Sequence, residues 1–207
     1  MKKFQITAFI LTAVLAASSA VSCGNKKKST STSDVIDDSI SFSETVSTPE
    51  GAVGEKEIKV NIDEEADEND TVFKLNSVII TEPQDDNNRF VYCDVTIRNS
   101  TDSSYTLSTL NNFYLELPDG EKVYSNIRTQ MYALNNFADG LYSSDPFEIP
   151  ASGEFSGIIG GFILADGQNE FTVGFFPTKA SPNDKASVIT IDVTANDIKT
   201  VTSDMLK

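Results

Sequence analysis

The run from Arg89 to Arg98 constrains this chain most. Val91, Cys93, Val95 and Ile97 fall at every second position, with Asp94, Thr96 and Arg98 between and after them. A period of two sends alternate side chains to opposite faces, so the run predicts a half-buried β-strand and excludes a helix there. Comparable runs recur along the chain. Lys56 to Ile62 alternates polar and apolar residues, and Val72 to Ile80 is rich in β-branched residues and stops at Glu82-Pro83. Asn112 to Leu117 places Phe113, Leu115 and Leu117 on one face, turns at Pro118-Asp119-Gly120 and returns over Lys122 to Tyr124 as a hairpin. Phe147-Glu148-Ile149 leads into a turn at Pro150-Ala151-Ser152-Gly153, and Glu154 to Leu164 predicts a strand bulged at Gly160-Gly161. Phe171 to Phe176 and Ser187 to Thr194 complete the series. About seven to nine short strands, with no convincing amphipathic helix, predict an all-β fold of the sandwich type. Asn196 to Lys207 reads as a short terminal helix or a frayed tail.

Charge divides the 207 residues into three regions. Residues 1–28 carry five Lys and no acid, residues 29–70 carry 13 acids and two Lys, and residues 71–207 carry 18 acids and nine bases. Of the 19 Phe and Tyr residues, 16 follow residue 70, which locates the packed part of the chain. The absence of His removes Ser-His-Asp and Cys-His catalysis and every His-containing metal site. A net charge of -15 argues against nucleic acid, whose phosphates need a basic surface.

The basic head has the anatomy of a secretory signal. Lys2 and Lys3 precede an apolar run from Phe4 to Ala17, and small residues follow up to Cys23. Ala20-Val21-Ser22-Cys23-Gly24-Asn25 resembles the lipobox of bacterial lipoproteins, with Ala20 where Leu is commonest in that family. The resemblance implies a signal peptide over residues 1–22 and a diacylglycerol on Cys23, which becomes the new N-terminus on the outer face of the cytoplasmic membrane. The alternative is ordinary cleavage after Ala20, leaving a soluble protein. Lys26-Lys27-Lys28 would lie next to the anchor, on anionic headgroups or as the solvated start of a linker. Cys93, flanked by Tyr92 and Asp94 on a strand, is expected to be a buried, unpaired thiol.

From Ser29 to about Glu55 the chain is Ser, Thr, Asp and Glu with scattered Val and Ile, a composition that predicts a disordered acidic tether over residues 23–55 ahead of a sandwich over residues 56–207. Such a tether would hold the domain clear of the membrane. Asp63 to Asp70 has seven acid or Asn residues out of eight. Calcium is one reading, but the stretch lacks the Gly and the spacing of a calcium loop, which favours a solvated loop.

A second resemblance rests on Val91 to Thr101, Phe113-Tyr114-Leu115, Pro150, Gly153 and Phe162. It is similar to the immunoglobulin-like domains of unknown function carried by many Gram-positive lipoproteins and related to secreted immunoprotective antigens. The pattern comprises a strand ending in Asn plus a small polar residue, a Phe-x-Leu strand, a Pro-x-x-Gly turn and a strand with an aromatic. It covers about residues 72–178 and implies an immunoglobulin-like β-sandwich with no enzymatic residues.

The stretch from Ser125 to Pro146 is longer than that pattern needs. Its mixture of Tyr and Phe with Asn, Ser and Gly suits a partner-binding loop, with Tyr132, Asn135, Asn136, Phe137 and Tyr142 as candidate contacts. The competing reading is an irregular strand pair closing one end of the sandwich, with Tyr132, Phe137 and Tyr142 as core caps. No Walker loop, CxxC or Ser-x-x-Lys run occurs, and neither a cofactor nor a metal is implied. The expected function is binding to an envelope or extracellular partner, a protein or a cell-wall polymer, through a lipid-anchored module. The alternative is an accessory subunit of a membrane complex without its own ligand site.

Overall fold

The computed structural model describes residues 56–84, 86–177 and 187–207. The expected signal peptide, the lipidated Cys23 and the acidic tether lie outside the described residues. The strands are β1 (Lys56–Val60), β2 (Ala66–Glu68), β3 (Thr71–Ile80), β4 (Asn88–Asn99), β5 (Tyr105–Leu107), β6 (Phe113–Glu116), β7 (Lys122–Val123), β8 (Phe147–Ile149), β9 (Glu154–Ala165), β10 (Phe171–Phe175), β11 (Ser187–Val193) and β12 (Ile198–Thr200). Two α-helices interrupt them, α1 (Thr109–Asn112) and α2 (Ile127–Asn136). One sheet has the order β1-β11-β10-β6-β7, and the second β12-β3-β4-β9 with β2 also paired to β3. β5 and β8 form a separate ribbon. We call the first two the front and back sheets.

The alternation in β4 explains the layering. Val91, Cys93, Val95 and Ile97 enter the main core with Phe73 and Leu75 of β3 and Ile159 and Phe162 of β9. They meet Phe113 and Leu115 of β6, Val173 and Phe175 of β10 and Ile189 and Ile191 of β11. Phe73 bridges the sheets, with ring centroids 6.0 Å from Phe113 and 4.4 Å from Phe175. Burying these side chains contributes about 1.5–3 kcal/mol each, the dominant favourable term of the fold. Cys93 is fully buried and free, and desolvation pushes its thiol up to about 12, which leaves it inert.

Two loops are tied by side chains. Asn99, 3 % exposed, donates to the carbonyls of Ser103 at 2.8 Å and Pro150 at 3.0 Å. Its Oδ1 accepts from the Thr101 N–H at 2.9 Å and the Thr101 hydroxyl at 2.7 Å. Gly153 closes the same knot, accepting from Asn99 N–H and donating to the Pro150 carbonyl. Asp145 caps α1 from a distance, accepting from Thr109 N–H at 2.7 Å, Leu110 N–H at 3.2 Å and the Ser108 hydroxyl at 2.8 Å.

Three expectations need correction. Residues 127–136 form a helix, although the alternating pattern elsewhere predicted none. The stretch after Asn196 is neither a terminal helix nor frayed: β12 pairs in parallel with β3 over Ile198–Thr200, and two short 3-10 turns flank it. The acidic stretch 63–70 is not wholly a loop, because Ala66–Glu68 pairs with β3. Asp63, Asn69 and Asp70 take left-handed backbone conformations on either side of that short strand. Its acids face bases, with Arg98 gripping Glu65 through two bonds of 2.7 and 2.6 Å and Lys56 reaching Glu68 at 2.7 Å.

Candidate functional site

Phe90 and Tyr92 of β4 project from the outer face of the back sheet, opposite the main core. Two large aromatics facing water would be costly, and α2 covers them. The helix starts at Asn126, whose side chain accepts from Arg128 N–H at 2.8 Å. It ends at Phe137, where the backbone turns extended. At its C-terminal end Lys207 Nζ donates to the Leu134 carbonyl at 3.1 Å and pairs with Asp139 at 3.0 Å, a cation placed where the helix dipole favours one.

The helix lies close against the bulge in β9. Gly161 is the extra residue, since Val91 pairs with Phe162 and Tyr92 with Gly160. Gly160 and Gly161 have φ of 97° and 132°, in the region that favours glycine. A Cβ on Gly161 would stand 2.2 Å from Thr129 Oγ1, so the contact requires its absence. Asn126 N–H donates to the Gly161 carbonyl at 2.9 Å, and the Tyr92 hydroxyl donates to the Thr129 carbonyl at 2.7 Å. After the helix, residues 141–143 run along the free edge of β9, where Ser143 N–H donates to the Ile158 carbonyl at 2.9 Å.

Under the helix the aromatic rings form one cluster. Tyr132 meets Phe90 edge-on at 5.1 Å, and Phe137 meets Tyr92 at 5.0 Å and Tyr142 at 6.2 Å. The Tyr142 hydroxyl donates to the Gly160 carbonyl at 2.8 Å. Burial raises the pKa of both the Tyr92 and Tyr142 hydroxyls, which keeps them neutral donors.

The five residues singled out from sequence are thereby divided. Phe137 is buried, and Tyr132 and Tyr142 are half-buried with their rings turned onto the sheet. Asn136 is half-buried, and its side chain donates to the Tyr132 carbonyl at 2.7 Å. Asn135 is exposed. The structure brings the three aromatics together, but as cover for Phe90 and Tyr92.

The outward face of α2 carries other residues. Ile127, Met131 and Leu134 are 66, 50 and 43 % exposed, while Thr129, Gln130 and Ala133 are buried. The spacing i, i+4, i+7 aligns the three exposed side chains in one stripe. Leu110 of α1, 49 % exposed, is the remaining exposed large apolar residue among the described residues. α1 also reaches the bulge, since Thr109 Cγ2 lies 3.7 Å from where a Gly160 Cβ would be. The helical spacing of Ile127, Met131 and Leu134 was a signal in the sequence. It was obscured because their polar neighbours Thr129 and Gln130 are the ones buried.

Fold and site together define a β-sandwich with a helix laid across the outer face of one sheet. A family model for a domain of unknown function, DUF4352, matches residues 60–148. The match ends before β9, β10 and β11, which complete both sheets. No curated protein matches the chain. Among solved structures it is similar to the candidate lipoprotein ycdA of Bacillus subtilis, with 14 % identity, a TM-score of 0.44 and coverage of 64 % of this chain and 39 % of that one. It is also similar to the yjhA protein of Bacillus subtilis, with 13 % identity, a TM-score of 0.45 and coverage of 64 and 99 %. A β-sandwich protein of Clostridium difficile 630 matches at 10 % identity and a TM-score of 0.40, covering 66 % of this chain and 94 % of its own.

Proposed function

We propose that this chain is an extracytoplasmic lipoprotein, anchored through Cys23, whose immunoglobulin-like β-sandwich binds a protein partner through α2 and performs no catalysis. The exposed aliphatic stripe of α2 carries the binding reading. A surface helix ordinarily turns its apolar stripe to the core and its polar face to water. Here Thr129 and Gln130 are buried, and Ile127, Met131 and Leu134 face out. An exposed apolar stripe is the informative exception on a protein surface. Aliphatic side chains gain by burial against another apolar surface, whereas a wall polymer rich in hydroxyls offers them little, which favours a protein.

The immunoglobulin-like reading is supported by strand order. β11-β10-β6-β7 follows the G-F-C-C′ sequence of variable-type domains, and adjacent β4 and β9 follow B and E. Cys93 on β4 stands alone, so no bridge joins the sheets among the described residues. The anchor reading rests on residues 1–28 alone: a charged start, a short apolar run and small residues before Cys23. Two or more acyl chains would hold firmly, at about 0.8 kcal/mol per buried CH₂. No helix among the described residues is long and apolar enough to cross a membrane.

Mass spectrometry of the mature chain tests the anchor. The expected N-terminus is Cys23 bearing a diacylglycerol, and an unmodified chain beginning at Val21 would refute it. Cross-linking in intact cells tests the helix. The native chain should give a discrete protein adduct, and a triple variant Ile127→Ser, Met131→Ser, Leu134→Ser should lose it. These positions are exposed, so each substitution should change stability by no more than about 0.5 kcal/mol. An adduct that the variant retains would remove α2 from the interface.

A further inference from the structure

Beside α2, on the same outer face of the back sheet, lies a groove of about 300 Å³. Asp94 of β4 and Lys199 of β12 both line it. Neither forms an ion pair with any other of the described residues, although one is a carboxylate and the other an ammonium. Asp94 Oδ1 accepts from the Asn76 amide at 3.2 Å, which holds the carboxylate in place.

A second observation comes from β3. Its pairing with β4 slips between Leu75 and Ser77, so Asn76 is an extra residue and the strand resumes with Ser77 and Ile79 on the outer face. Val78 and Ile80 return to the main core. Ser77 is 3 % exposed and lines the groove, and its hydroxyl has no hydrogen-bond partner among the described residues. The residue is otherwise buried, so its hydroxyl opens on the groove, where it can donate to and accept from a ligand atom. Between the charged groups the lining is apolar, from Ile79, Ile158, Leu141 and Met205.

We propose that this groove binds a small zwitterion with an aliphatic body, a free amino acid or the end of a short peptide. The ligand's ammonium meets Asp94, its carboxylate meets Lys199, and Ser77 supplies a hydrogen bond over the apolar floor. Opposite charges held apart in one groove are complementary to a molecule carrying both, because each charge leaving water needs a partner. A volume of about 300 Å³ lies at the small end of ligand sites, enough for one or two residues. The site is separate from the outward stripe of α2, so either proposal can fail alone.

Titration calorimetry of the detergent-solubilised full chain tests this with L-leucine and L-alanyl-L-leucine as probes. At least one should bind saturably, and which one does distinguishes a free amino acid from a peptide end. N-acetyl-L-leucine, which lacks the ammonium, and L-leucinamide, which lacks the carboxylate, should each bind at least tenfold more weakly. Asp94→Asn should weaken the zwitterion tenfold and add nothing to the loss caused by N-acetylation; Lys199→Gln should do the same with leucinamide. The derivative series on the native chain stands even where a variant folds poorly. No saturable heat with either zwitterion, or equal affinity for leucine and both derivatives, overturns the proposal.

Discussion

Replacing Asn99 with Ala is expected to lower the melting temperature by about 10 °C. Asn99 makes four hydrogen bonds in a nearly closed site, two as donor and two as acceptor. Each contributes about 1 kcal/mol net, and the carbonyls of Ser103 and Pro150 would lose their donor. A loss of roughly 3–4 kcal/mol corresponds to a shift of about 2–4 °C per kcal/mol in a domain of this size. Asn99→Asp separates packing from bonding. It preserves shape and can still accept from Thr101, but it places a carboxylate against two carbonyls that need a donor. It should therefore be at least as damaging as Ala. Thermal denaturation by circular dichroism reads both, and a shift under about 2 °C for either would show that the knot does not hold these loops.

Gly161→Ala is the second large effect, and it should act through α2. Its φ of 132° strains any L side chain, and the new Cβ would stand 2.2 Å from Thr129 Oγ1 and 2.8 Å from Thr129 Cβ. Strain of about 1–3 kcal/mol adds to overpacking of about 1–3 kcal/mol, so roughly 4 kcal/mol is expected. Gly167→Ala is the control: φ is 85° there, and nothing lies within 4 Å of the added Cβ. It should cost only about 1 kcal/mol. Arg128 is exposed already, but its backbone is held in α2, so lifting the helix would free that backbone and trypsin should cut there faster in Gly161→Ala than in Gly167→Ala. Equal cleavage and equal melting would mean that the helix does not depend on the bulge.

The strands were legible because their chemistry is local. β4 alternates apolar and polar residues on its own, and the Gly160-Gly161 pair announced a bulge before any partner strand was known. The Asn99 and Pro150–Gly153 motif was visible as a pattern, and its meaning is now structural: residues 51 positions apart meet in one knot. α2 was not legible, because polar Thr129 and Gln130 are buried beside Ala133 while Ile127, Met131 and Leu134 face out, which blurs the usual helical signature. β12 was missed because a three-residue strand draws its partner from far away in sequence, and no local period reports that. Within the stretch from Ser125 to Pro146 the aromatics drew attention from the aliphatic residues that face out. Burial decided between them, and burial is set by Phe90 and Tyr92 on another strand.

Site-specific photo-cross-linking in intact cells tests most directly whether α2 is the docking surface. A photoreactive amino acid is placed at Met131 on the outward face of α2 and, in a separate chain, at exposed Lys59 on the front sheet. A discrete protein adduct is expected from position 131, absent from position 59 and lost when Ile127 and Leu134 are changed to Ser. No adduct at position 131, or the same adduct from both positions, would contradict docking through α2.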